Sequence, residues 1–296
     1  MGTLQVTWLP DAQPRERHLA VGEFDGVHIG HREVIRGATS VLTFEPHPRT
    51  VVAPDSAPKL LTPLAIKADL VAELGVDELV VIPFDGSFAH QTAQEFIDRE
   101  LIQRLGAHTV SVGENFRFGH RAKGDPELLR AQDAFETCVV EMVELDGEIV
   151  SSTHIRGLVT AGEIDVARRF LGAPFQMRGT VVHGDKRGRT LGFPTANLVP
   201  DSALTVPGHG VYACLAEVDG ERHVAAVNVG IRPTFQTGRG LLVEAFLLDF
   251  SADIYERELR LEFLERLRGE RRFDDVGALV DQMHRDVEDT RRIAAV

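Results

Sequence analysis

Along the first half of the chain, short apolar runs alternate with longer stretches whose apolar positions recur every three or four residues. His18–Gly22, Ser40–Phe44, Glu78–Phe84 and His108–Val112 read as strands. Between them, Pro63–Leu74 (with Leu64, Ile66, Leu70, Val71 and Leu74) and Thr92–Leu105 (with Phe96, Leu101, Ile102 and Leu105) carry the one-sided stripe of a surface helix. Strand–helix alternation predicts an α/β unit with a parallel, doubly wound, Rossmann-like sheet, and ligands in such folds bind beyond the carboxyl ends of the strands. The second half changes period. Arg178–Val182, Val211–Val218, His223–Val229, Leu241–Phe250 and Leu259–Arg266 are strand-like and separated by Gly, Pro or charged turns. That is the all-β pattern of a small barrel. Phe273–Ile293 closes the chain as one amphipathic helix, with Val276, Leu279, Val280, Met283 and Val287 on one side. A tight joint near Gly172–Pro174 predicts two domains, 1–172 and 173–296.

The length, 296 residues, agrees with two domains. With 32 Lys and Arg against 45 Asp and Glu the net charge is −13, which argues against a nucleic-acid partner and against a polybasic membrane-surface protein. Residues 1–172 hold 16 basic and 26 acidic side chains, and residues 173–296 hold 16 and 19. Hydrophobic residues, at 43%, are sufficient for packed cores. Cys138 and Cys214 stand far apart, so neither a disulfide framework nor a cysteine zinc site is expected. Met1–Arg17 lacks the apolar core of a signal peptide, and no apolar run is long enough to span a membrane. A cytoplasmic protein, monomeric or weakly homo-oligomeric, is expected.

The chemistry begins where the first of those strands ends. Gly22 is followed by Phe24-Asp-Gly-Val-His28-Ile-Gly30-His31. His28 and His31 are three apart, hence on one face of a helix starting there. Beside a strand–helix junction, two imidazoles suit a phosphate whose charge grows in a transition state. They also suit an ordinary surface turn or two metal ligands, although HExxH is absent. A second corner is Ser151-Ser152-Thr153-His154-Ile155-Arg156, where a Ser or Thr caps a helix and Arg156 faces an anion, or a plain solvent-exposed cap.

The second half has no P-loop. It has Gly179-Thr-Val-Val-His-Gly184 and then Gly188-Arg189-Thr-Leu-Gly192-Phe193-Pro-Thr195-Ala-Asn197. Turn glycines free backbone N–H groups for phosphate, and Thr195 and Asn197 offer hard oxygens suited to Mg²⁺. A glycine-rich hairpin with polar turns is the plainer reading of the same string. Lys186, Arg187 and Arg189 supply local positive charge that the net charge conceals.

Taken together, HxGH after a strand and the later SSTxIR segment resemble the nucleotidylyltransferase signature. The resemblance narrows with Thr43-Phe44-Glu-Pro46-His-Pro48, Gly113-Glu-Asn115-Phe-Arg117-Phe-Gly119 and Gly124-Asp125. These are similar to the adenylyltransferase half of the bacterial bifunctional riboflavin kinase/FAD synthetase family. The Gly179–Asn197 string, with Gly210-Val-Tyr212, Asn228-Val-Gly230, Arg232-Pro-Thr234, Val243-Glu244, Leu248-Asp-Phe250 and Asp253-Ile-Tyr255, resembles its kinase half.

This resemblance implies a six-stranded antiparallel kinase barrel with a C-terminal helix. It implies phosphorylation of riboflavin to FMN and adenylylation of FMN to FAD, with ATP and Mg²⁺. It assigns His28, His31 and Arg156 to adenylyl transfer and Glu244 to the kinase as general base. Gly22, Phe24, Asp25, Gly30, Ser152, Thr153, Gly184, Lys186, Gly188 and Arg189 fall to ATP and its phosphates. Phe44, Pro46, Asn115, Arg117 and Phe193 fall to the flavin, and Thr195 and Asn197 to the metal. Glu23, Asn115, His154 and Phe246 depart from the usual family residues. Only 11 residues separate His31 from Thr43, so the first helix must end near Arg36-Gly37. That shortening makes a kinase with a weakened first domain the alternative reading.

Overall fold

The computed structural model describes residues 3–184, 192–234 and 238–295. It divides into two compact units, Met1–Ser152 and Thr153–Val296.

The first unit is a six-stranded parallel sheet. Its strands are β1 (Gln5–Trp8), β2 (Arg17–Val21), β3 (Ser40–Glu45), β4 (Glu78–Pro83), β5 (Ala107–Gly113) and β6 (Glu136–Val140), in the order β1-β4-β3-β2-β5-β6. β2, β3 and β4 are buried on both faces, as parallel strands between helices must be, and so read as near-continuous apolar runs. From β2 the chain steps to one side through β3 and β4, and later to the other through β5 and β6. The strand order therefore reverses between β2 and β5, where open α/β sheets form their ligand crevice. Helix Leu64–Ala72 buries Ile66, Leu70 and Val71 on one face of the sheet. Phe96, Ile97, Leu101 and Leu105 cover the other. The predicted helix Thr92–Leu105 begins with a Thr92–Glu95 capping box and runs as a π-helix over Phe96–Arg104. A small hairpin, β7 (Glu144–Leu145) with β8 (Glu148–Ile149), follows the sheet.

The second unit opens with helices Ser152–Ala161, which begins on the last residue of the first unit, and Ile164–Leu171. The latter packs on the barrel strands β9 and β14. The barrel consists of β9 (Phe175–Val182), β10 (Ala196–Leu198), β11 (Gly210–Val218), β12 (Glu221–Thr234), β13 (Gly238–Leu247) and β14 (Glu258–Arg268). It closes in the order β10-β13-β12-β11-β14-β9, every pairing antiparallel. Burial alternates along its strands: Ala225, Val227 and Val229, and Val243, Ala245 and Leu247, are buried. Asn228, Glu244 and Phe246 lie on the alternate row. Closure leaves no free edge. Helix Val276–Ala294, capped by Asp275, packs on β11, β12 and β14.

Candidate functional site

In the first unit the end of β2 runs into a strained loop. Phe24 and Val27 take φ of +50° and +42°, on either side of Gly26 at +89°. A β-branched residue in the left-handed region is costly, so the surroundings must impose it. They do so through Asp25, whose Oδ1 accepts from Leu61 N at 2.8 Å and Thr62 N at 3.0 Å. Thr62 Oγ1 accepts from Gly26 N at 3.0 Å, and Ser152 Oγ donates to Asp25 O at 2.9 Å.

The loop delivers His28 to the cap of helix Ile29–Ile35, where its Nδ1 accepts from His31 N at 3.2 Å. The helix ends at Ile35, with Arg36 as its cap and Gly37 in the turn, the short element that the His31–Thr43 spacing requires. The two imidazoles stack, with centroids 3.4 Å apart and planes 17° from parallel, and the Phe24 ring meets His31 edge-on at 5.4 Å. Because His28 Nδ1 accepts, its neutral ring carries the proton on Nε2. His31 Nδ1 is buried without a hydrogen-bond partner among the described residues.

Burial lowers the His28 pKa to about 4. Burial, with His28 and then Lys67 nearby, holds His31 well below the usual histidine value. The pair is uncharged at neutral pH. Both shifts are downward, so the unfolded chain takes up protons below about pH 6.5 that the folded unit refuses, and stability falls as the pH is lowered. Between pH 7 and 4 the lowered His28 pKa alone costs about 3 kcal/mol of stability. Denaturant midpoints read from the single tryptophan, Trp8 on β1, are expected to drop over that range. Constant midpoints from pH 7 to pH 4.5 would contradict the neutral pair.

Several of the other candidate residues of 1–172 stand at strand ends of the sheet. A Cβ on Gly22 would lie 3.0 Å from the Phe24 ring, so no larger residue fits without moving it. A Cβ on Gly30 would make only ordinary contact with His28. Phe44 is a core residue, edge-on to Phe84, while Pro46 is exposed in the loop after β3. His47 is buried and pairs with Glu23. In the loop after β5, Phe118 is buried against Phe96 and Phe116 stacks on Phe118, whereas Asn115 and Arg117 are exposed. One aromatic anchors that loop and its polar residues face out. The loops at the ends of β2, β3 and β5 thus flank the point where the strand order reverses. Thr153 is exposed and Arg156 half-buried in helix Ser152–Ala161. Among the described residues no group of three or more His, Cys, Asp or Glu has metal-site geometry, so the histidine pair has no third ligand of that kind.

Sequence reasoning missed Lys67, which is buried in helix Leu64–Ala72 and donates to Glu23 O at 2.6 Å and Thr43 Oγ1 at 3.1 Å. Its spacing, three and four before Leu70 and Val71, places it inside the apolar stripe. That was the available signal.

In the second unit three polar residues line up across three strands. Glu244 on β13 pairs in register with Asn197 on β10 and with Asn228 on β12. Asn228 Nδ2 donates to Glu244 Oε2 at 3.5 Å. Asn197 is buried, its Nδ2 donates to Thr195 O at 3.4 Å, and its Oδ1 has no partner among the described residues. Gly184 lies against that amide: a Cβ there would come within 2.3 Å of Nδ2 and 2.8 Å of Oδ1. Gly184→Ala must therefore displace Asn197. The expected cost to the chemistry of this unit is about tenfold or more, with none to the first unit. Steady-state rates check this, and equal rates for variant and wild type would remove Asn197 from the site. Phe193 is buried between Phe246 and His284, each ring 5.2 Å away. Lys186, Arg187, Gly188 and Arg189 lie outside the described residues.

Two family models match the chain in tandem: FAD synthetase over residues 11–154 and riboflavin kinase over residues 171–294. Proteins named bifunctional riboflavin kinase/FMN adenylyltransferase match along nearly all of it. The one from Listeria monocytogenes is 38% identical, covering 94% of this chain and 92% of its own. The one from Bacillus subtilis is 38% identical over 93% and 91%. The one from Escherichia coli K12 is 38% identical over 90% of each chain. A crystal structure from Streptococcus pneumoniae titled a macrolide-efflux protein superposes with TM-score 0.86 at 34% identity, covering 97% of this chain and 98% of that one. Among the described residues of the present chain, no helix is long and apolar enough to cross a membrane.

Proposed function

The chain belongs to the bifunctional riboflavin kinase/FMN adenylyltransferase family, and from that premise we propose which of its residues carry each reaction. The enzyme transfers the γ-phosphoryl group of ATP to riboflavin, giving FMN and ADP. It then transfers AMP from a second ATP to FMN, giving FAD and pyrophosphate. The observation that carries this reading is the tandem of both family matches in one chain. We assign adenylyl transfer to residues 1–172 and the kinase to residues 173–296.

For adenylyl transfer, an FMN phosphate oxygen attacks the α-phosphorus of ATP as the α–β bridging bond breaks. His28 and His31 are neutral hydrogen-bonding groups held in a fixed stack, and neutral N–H donors stabilise charge growing on the α-phosphate without prior desolvation of a cation. Ser152, Thr153 and Arg156 meet the polyphosphate. The strained loop of Gly22, Phe24 and Asp25, with Gly30 in the helix it leads to, shapes the nucleotide side. Phe44, Pro46, Asn115 and Arg117 line the flavin side.

For the kinase, Glu244 takes the proton of the ribityl 5′-hydroxyl as that oxygen attacks the γ-phosphorus and ADP leaves. The partnerless Asn197 Oδ1, with Thr195 two residues before it, is a hard-oxygen donor set that fits Mg²⁺. When bound with ATP, the ion neutralises phosphate charge. Asn197 and Thr195 hold it. Gly184, Lys186, Gly188 and Arg189 cover the phosphates, and Phe193 flanks the flavin. No nucleic-acid or membrane partner is required, and the protein acts in the cytoplasm as a monomer or weak homo-oligomer.

Incubation of the purified protein with FMN, ATP and Mg²⁺ tests the assignment that the shortened first helix puts at issue. FAD and pyrophosphate in equal amounts are expected. Riboflavin turnover without any FAD from FMN would reduce the protein to a kinase.

A further inference from the structure

The histidine pair is uncharged at neutral pH, yet the adenylyl-transfer reading brings a triphosphate to it. A buried cation, Lys67, acts on His31 electrostatically. It is 6% exposed and donates to Glu23 O and to Thr43 Oγ1, which itself donates to Glu23 O at 3.1 Å. An ammonium has three donors, so two of them are spent on one triangle that ties the start of the strained loop to β3. Glu23 directly precedes Phe24, where the chain turns left-handed. The charged groups around Lys67 are Asp25 and Glu23 from the loop, Glu45 from the end of β3, and His31 from the helix after the loop. Burial draws the lysine pKa down and the three carboxylates oppose it. A buried ammonium is costly unless it is compensated, and this one makes two hydrogen bonds with three carboxylates nearby.

We propose that Lys67 is a positioning residue of adenylyl transfer: its ammonium fastens the Gly22–Val27 loop to β3 and sets a fixed positive charge beside the His28–His31 pair. The inference rests on the adenylyl-transfer reading of the first unit. The charge has a direct consequence, because a cation beside His31 disfavours protonating that ring. The imidazoles remain neutral donors and acceptors, and the positive charge beside them resides on Lys67.

The test compares Lys67→Met and Lys67→Arg in the full chain, with riboflavin-to-FMN turnover of each preparation as the internal control. Lys67→Met is expected to lower kcat for FAD formation from FMN about 100-fold, and Lys67→Arg to recover at least about tenfold of that. NMR of the histidine rings reads the charge beside the pair, with Thr43→Val, which loosens the loop and keeps the ammonium, as the control for exposure of His31. The His31 titration is expected about one pH unit higher in Lys67→Met than in wild type, and near wild type in Lys67→Arg. Wild-type-like FAD formation in Lys67→Met overturns the proposal, as does an arginine variant no better than the methionine one with an unmoved His31 titration. If Trp8 fluorescence shows Lys67→Met to be unfolded in the first unit, Thr43→Val decides. It keeps the ammonium and removes one acceptor, so FAD formation should fall about fivefold, and an unchanged rate overturns the proposal. A wild-type protein that makes FMN but no FAD would instead defeat the adenylyl-transfer reading itself.

Discussion

Glutamine in place of Glu244 is expected to lower FMN formation about 1000-fold and to leave FAD formation from supplied FMN at the wild-type rate. The substitution keeps the shape of the side chain on β13 and its place in register between Asn197 and Asn228. It removes the one property the mechanism needs there, a group able to take the proton of the ribityl hydroxyl. Asn228 can still donate to the remaining side-chain oxygen, so the barrel should not rearrange. The half-buried position matters to the size of the effect, because a fully solvated strand carboxylate would be replaceable at little cost. The check is riboflavin turnover at saturating ATP and Mg²⁺, with KM measured alongside. A fall in kcat with KM nearly constant identifies loss of transition-state stabilisation. A loss of less than about tenfold would return Glu244 to the role of an ordinary surface carboxylate, since general-base catalysis is worth more than that.

The second large effect is in the other unit. His28→Ala is expected to lower FAD formation about 100- to 1000-fold while FMN formation is unchanged. Two losses are mixed in that variant. One is the donor at the α-phosphate. The other is the helix cap, since His28 Nδ1 accepts from His31 N, and losing a cap costs about 1 kcal/mol of stability. His28→Asn separates them. Asparagine is a good N-cap, so it should restore thermal stability without restoring turnover, because it cannot stack on His31 as an imidazole does at 3.4 Å. Recovery of FAD formation in His28→Asn would mean that the histidine matters only as a cap.

Sequence pattern revealed the inner strands of the parallel sheet, the longer strands of the barrel and the longer helices. β2, β3 and β4 were legible because a parallel strand between two helical layers is largely apolar, and β5 carries the buried Val110 and Val112. The two sheet edges were not. β1, in which Gln5, Val6 and Trp8 are exposed, and β6, in which Glu136 and Cys138 are exposed, bury too little to leave a run. β10 is only three residues long and was visible as a motif rather than as a strand, although it supplies the sixth strand that closes the barrel. The site followed the same division. The histidines, the Ser152–Arg156 segment, Asn197 and Glu244 stood out because their residue types recur in a recognisable string. The alignment of Asn197, Glu244 and Asn228 could not be read, because it depends on the register of strands distant in sequence. Lys67 escaped because a single lysine on a surface helix is ordinarily solvated, and only its phase within the stripe of Ile66, Leu70 and Val71 marks it as buried.

That these two chemistries use separate sets of residues, with FMN as product of one and substrate of the other, is tested most directly by complementation. Glu244→Gln and His28→Ala proteins are incubated with riboflavin, ATP and Mg²⁺, each alone and then mixed, and the flavins are separated over time. Within the period in which the wild type completes both steps, Glu244→Gln alone should leave riboflavin unconverted, and His28→Ala alone should stop at FMN. The mixture should accumulate FMN and then convert it to FAD. FAD from riboflavin with Glu244→Gln alone, or none from the mixture, would contradict the account.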